Sequence, residues 1–147
     1  MYSNRISRQA WLPLGAALIF AISAFGSYSS IAAAADVKVT LAGDQEVPPV
    51  KSAGTGTGTI IIGAYRSVSG SVTTTGMAGT AAHIHEAATG KNGPVIISLT
   101  KKGDTYAVPA GAKLTDAQFA SFQAGNLYVN VHTAANAGGE MRAQLKP

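Results

Sequence analysis

All three histidines of the chain fall in two short strand-like segments, His83-Ile84-His85 and the run ending at His132-Thr133. In an extended strand, residues i and i+2 project from the same face. His83 and His85 therefore point the same way, roughly 6.5–7 Å apart along the strand. Both rings can swing onto one metal ion. His132, from a neighbouring strand, would complete a three-nitrogen site with an open position, as a reactive zinc or copper centre requires. Taken alone, H-x-H is equally two polar residues on a solvated strand face.

The surrounding alternation strengthens the metal reading. In Leu127-Tyr128-Val129-Asn130-Val131-His132-Thr133, the apolar Leu127, Val129 and Val131 share one face. Tyr128, Asn130 and His132 share the other. Met141, Ala143 and Leu145 face the core in the last strand, while Glu140, Arg142 and Gln144 face away. Ala82 and Ile84 take the core side next to the histidines. Every histidine, and the single arginine of the C-terminal half, thus lies on a non-core face. If the last two strands pair, His132 lies beside Glu140 or Arg142 across the ladder. His83, His85 and His132 are the expected metal ligands. Arg142 is open to three readings: a surface residue, an ion-pair partner of Glu140, or the catalytic group that supplies positive potential for an anion. Glu140 is expected to orient a histidine ring from the outer shell. Glu86 points off the opposite face and is not expected to be a ligand. Ordinary solvent-facing positions would account equally for Tyr128 and Asn130.

The N-terminus reads as a cleaved secretory signal over residues 1–35. Arg5 and Arg8 supply a positive region, Trp11 to Phe25 an apolar stretch, and Ala33-x-Ala35 a cleavage site. The stretch is short for a membrane span and is interrupted by Pro13 and Ser23. The expected domain is residues 36–147, secreted or periplasmic, with no membrane span after cleavage. Without Arg5 and Arg8, nine Lys/Arg stand against seven Asp/Glu, a net +2. No basic run interleaves with aromatics, so nucleic acid is not an expected partner. The chain has no cysteine. Thiolate ligands and thiol catalysis are excluded, and any metal must use His, Asp, Glu or Met.

The elements that must position these residues are mostly strands. Val37–Leu41 alternates with period two. Gln45–Val50 contains Pro48 and Pro49, so it belongs to an edge or an extended loop. Residues 55–62 and 67–75 read as a hairpin about Tyr65 and Arg66. Residues 80–85 carry H-x-H, 89–94 are dense in turn residues, and 95–99 form a buried strand, with a short one at 105–108. Residues 127–133 and 140–145 are the last two strands. One helix is specified near 115–124. Thr115 and Gln118 form a capping box, Leu114 and Phe119 a hydrophobic staple, and Gly125 suits the C-terminal left-handed position. The fold expected is all-β, a Greek-key β-sandwich or barrel of the immunoglobulin or superoxide-dismutase type, with this one short helix. Its edges and polar face would permit a homodimer.

These blocks resemble the CHRD domain. The residues that carry the likeness are Gln45-Glu46-Val47-Pro48-Pro49-Val50, Ala82-His83-Ile84-His85, Gly90-Lys91-Asn92-Gly93-Pro94-Val95, Leu114-Thr115, Gly125 to Thr133 and Gly139-Glu140-Met141-Arg142. Ala87, Ala137 and Ala143 depart from the family pattern at turn positions. The set His83, His85, His132 and Arg142 is also similar in type and order to the copper site of copper/zinc superoxide dismutases. With no fourth histidine, a bridged two-metal site is excluded, so that likeness implies a copper-only analogue.

No G-x-S-x-G, phosphate loop or H-E-x-x-H occurs. Three readings stay open: a copper enzyme acting on superoxide or another small anion, a copper or zinc binding module without turnover, and a metal-free extracellular interaction module.

Overall fold

The computed structural model describes residues 34–147. Up to Ala33, the expected signal segment lies outside the described residues. Among the described residues, nine strands form two antiparallel sheets. The strands are β1 (Ala35–Leu41), β2 (Thr55–Ile62), β3 (Val68–Thr75), β4 (Gly79–Glu86), β5 (Val95–Ser98), β6 (Thr100–Lys102), β7 (Thr105–Ala107), β8 (Leu127–Thr133) and β9 (Met141–Leu145). Among the described residues the one α-helix, α1, is Asp116–Gln123. One sheet has the order β1-β2-β3-β7-β6 and the other β5-β4-β8-β9.

The architecture is a sandwich joined at both edges. The chain passes from β5 into β6 through Leu99 and so changes sheet. The Leu99 N–H donates to the Ala82 carbonyl at that corner. At the opposite edge, Ala42 and Arg142 form an isolated two-bond bridge. Taking β5 and β6 as one bent strand, the spatial order β8-β4-β5/β6-β7 is a Greek key.

Alternation decides which side chains enter the core. Val37, Val39, Leu41, Ile60, Ile62, Val68, Val72 and Tyr106 of the larger sheet are buried. They meet Ala82, Ile84, Leu127, Val129, Val131, Met141, Ala143 and Leu145 of the smaller one. Helix α1 closes one end. Thr115 Oγ1 accepts from the Gln118 N–H, and the Thr115 N–H in turn donates to Gln118 Oε1. Leu114 and Phe122 are buried, and Phe119 packs beside them.

On the outer face of the smaller sheet Tyr128, Asn130 and Arg142 are buried, which removes the solvent-facing alternative for Tyr128 and Asn130. The segment between β4 and β5, residues 87–94, folds back over Tyr128 and Arg142. Gln144 Nε2 donates to the Ala87 and Gly125 carbonyls, and Asn92 Nδ2 donates to Val47. A second polar layer is thereby enclosed behind the core.

Candidate metal centre

Strand register brings the three histidines together. In the β4–β8–β9 ladders, His83 stands opposite Asn130, which stands opposite Arg142. His85 stands opposite Tyr128, which stands opposite Gln144. His132 stands opposite Ala81, whose single methyl leaves room for the imidazole to lean toward His83. The three rings present nitrogens that all lie within 4.8 Å of one another. His83 and His132 are partly exposed, and His85 is buried.

Hydrogen bonds select the nitrogen each ring can offer. His85 Nδ1 donates to the Gly93 carbonyl at 2.9 Å. Its Nε2 is then a bare lone pair, and that atom is buried with no hydrogen-bond partner. His132 Nδ1 donates to the Ala137 carbonyl at 2.9 Å, which likewise frees Nε2. His83 Nδ1 lies 2.9 Å from His132 Nε2 and donates to it in the metal-free protein. A metal replacing that proton would meet His83 Nδ1, His85 Nε2 and His132 Nε2. Backbone carbonyls on two of the three rings are the outer-shell arrangement that orients metal-bound histidines.

Burial favours the neutral form of His83 and His132. Desolvation, then the nearby His132 and His85 rings, push the His83 pKa below 6.5. Desolvation also lowers that of His132, against the opposing Ala137 hydrogen bond. Lowered folded values mean that the unfolded chain binds more protons below about pH 6.5, so stability falls as pH drops through that value. It levels off once the folded pKa values are passed. A His83→Gln, His132→Gln double variant should flatten this acid limb in denaturant titrations at pH 7.5, 6.5 and 5.5. An unchanged difference from wild type across that series would mean that the rings titrate normally.

The neighbours do not all take their expected places. Arg142 is only 1% exposed. Its Nη1 donates to the Lys91 carbonyl at 3.0 Å and to Asn92 Oδ1 at 3.4 Å, and its Nη2 to Gln144 Oε1 at 3.5 Å. The guanidinium carbon lies 3.9 Å from the centre of the Tyr128 ring. The His85 ring stacks on Tyr128 at 4.7 Å, with 4° between the planes. Strands β4 and β9 flank β8, so imidazole and guanidinium cover opposite faces of the phenol. Tyr128 thus separates Arg142 from the histidines, and the guanidinium does not line the open side of the cluster.

Glu140 orients no histidine directly. Its carboxylate accepts from Thr133 Oγ1 and Asn136 Nδ2. Bonds from Ser52, Asn136 and Thr133 hold it below the usual carboxylate range. It acts one step away, fixing the turn whose Ala137 carbonyl receives His132. Glu86 accepts from Ser121 on α1 at 2.6 Å and lies outside the cluster. Sequence reasoning missed Gly93 and Ala137 because their contributions are backbone carbonyls, which no side-chain pattern announces.

The family model for the CHRD domain matches residues 37–145. The chain belongs to the CHRD family, a module of extracellular type. No curated protein matches the chain, and no solved structure matches it either. The likeness to superoxide dismutases therefore rests on the residue set alone. Among the described residues, no helix is long and apolar enough to cross a membrane.

Proposed function

We propose that this chain is an exported CHRD protein, secreted or periplasmic, that holds one copper ion on His83, His85 and His132. The observation that carries the reading is the buried, partnerless Nε2 of His85, whose lone pair faces two further imidazoles. Burying an unmet acceptor is costly, and an ion would relieve that cost. Three neutral imidazoles fit either copper or zinc. The Irving–Williams order favours copper, with zinc as the alternative. Bound copper would supply one-electron chemistry toward superoxide or another small anion.

The chain's own residues do the rest. Gly93 and Ala137 fix ring tautomers, Glu140 braces the Ala137 turn, and partial exposure of His83 and His132 leaves an approach. The burial of Arg142 favours a second reading, in which the same ligands store or carry the metal without turnover.

The test is metal content after equal exposure to copper and zinc, for wild type and His132→Ala. About one copper per chain, lost in the variant, is the expected result. Fast superoxide removal by the loaded protein would select the enzyme, and its absence the binding module. No stoichiometric metal in wild type would overturn both.

A further inference from the structure

Arg142, Tyr128, Gly93 and His85 form a closed mechanical circuit. Arg142 clamps residues 91 and 92 from below. Asn92 ties the same segment to the 46–50 loop through the Val47 carbonyl at 2.7 Å. The clamped segment presents both polar groups of Gly93. Its N–H donates to the Tyr128 hydroxyl at 3.3 Å, and its carbonyl receives His85 Nδ1. Tyr128 returns to Arg142 through one ring face and to His85 through the other.

We propose that Arg142 and Tyr128 are positioning residues that hold His85 in its Nδ1–H tautomer with Nε2 aimed at the cluster. Arg142 in this role does not bind an anion. The metal consequence rests on the function proposed above, whereas the tautomer itself does not. Both nitrogens of a free imidazole compete for the proton. A carbonyl held on the Nδ1 side decides the competition. One guanidinium nitrogen, Nη1, reaches both Lys91 and Asn92, the other, Nη2, turns to Gln144, and the central carbon sits over the phenol. A lysine ammonium keeps the charge but cannot make all of these contacts.

The experiment compares wild type, Tyr128→Leu, Tyr128→Phe and Arg142→Lys. Ring nitrogen shifts of the 15N-labelled, metal-free proteins at pH 7.5 report the His85 tautomer. Copper titration reports affinity. Wild type should show one His85 tautomer, protonated on Nδ1. Tyr128→Leu and Arg142→Lys should show a mixture, with copper affinity lowered about 10- to 100-fold. Loss on Arg142→Lys separates positioning from attraction, because an anion-attracting charge would survive that change. Tyr128→Phe keeps the stack but loses the Gly93 acceptor, and should fall between. It decides the matter if the other two variants fail to fold, since an unchanged tautomer there overturns the proposal. A wild-type ring protonated on Nε2, or wild-type shifts and affinity in the folded variants, also overturns it. The expected tautomers without copper binding would leave the positioning intact and remove the metal reading.

Discussion

Gly93→Ala is expected to lower stability by about 3 kcal/mol, near the upper end for a single small substitution, and to release His85. The cause is space, not backbone conformation. A Cβ at Gly93 would collide with the carbonyl oxygen and carbon of Glu86 and crowd the Ala87 methyl. Backbone atoms cannot step aside there, because the Glu86 N–H is bonded to the Pro94 carbonyl at 3.1 Å. The 87–94 segment must lift instead. Lifting breaks the His85 Nδ1 bond and the Tyr128 bond together, leaving buried groups unpaired. Gly90→Ala is the control. Gly90 has a φ of +76° but open space around its missing Cβ, so it should cost only about 1 kcal/mol. Denaturant unfolding of the two variants measures the contrast. Equal, small losses would mean that the close approach at Gly93 is relaxed by movement elsewhere.

Glu46→Gln is expected to stabilise the protein in alkaline solution and to do nothing in acid. Glu46 is 4% exposed, and its Oε1 has no hydrogen-bond partner. The carboxyl lies against Gly139, whose φ of +144° and missing Cβ let it come close. Arg142 is near enough to attract it, but the hydrogen bonds of its Nη1 and Nη2 go to Lys91, Asn92 and Gln144 instead. Among the described residues, the one ion pair is Arg66 with Asp116. Desolvation therefore wins over the Arg142 attraction and raises the Glu46 pKa from 4.5 to about 7. A raised carboxyl keeps its proton in the folded state while the unfolded chain releases it. Stability is then lost as pH rises from about 4.5 to about 7. A neutral glutamine escapes that loss. The gain should be on the order of 1 to 3 kcal/mol at pH 8 and near zero at pH 4. Unfolding free energies of both proteins at the two pH values check it. A destabilised variant at pH 8 would show that the carboxylate is favourably paired.

Most of the fold was legible in local pattern. Period-two alternation marked β1, β8 and β9 because each strand has one apolar face toward the core. Thr115 and Gln118 marked the helix start because capping needs only residues three apart. The bend through Leu99 was not legible, because residues 95–99 read as one apolar run whether or not the chain changes sheet. Whether the polar face meets water was not legible for a related reason. Alternation separates core-facing from outward-facing residues, but it cannot tell whether an outward face meets water. Tyr128, Asn130 and Arg142 point outward from the core yet are buried, Tyr128 and Arg142 beneath the turn-rich 87–94 segment from far earlier in the chain.

By itself the sequence determined that the chain is a cysteine-free β domain with two histidines on one strand face and a third on a polar one. Those facts depend on residue type and on a two-residue repeat, which are local. Tertiary structure alone decided that His132 meets His83, that Gly93 and Ala137 choose the ring nitrogens, and that Arg142 lies behind Tyr128. Such facts depend on strand register and on where loops close, and both are set by how distant faces pack.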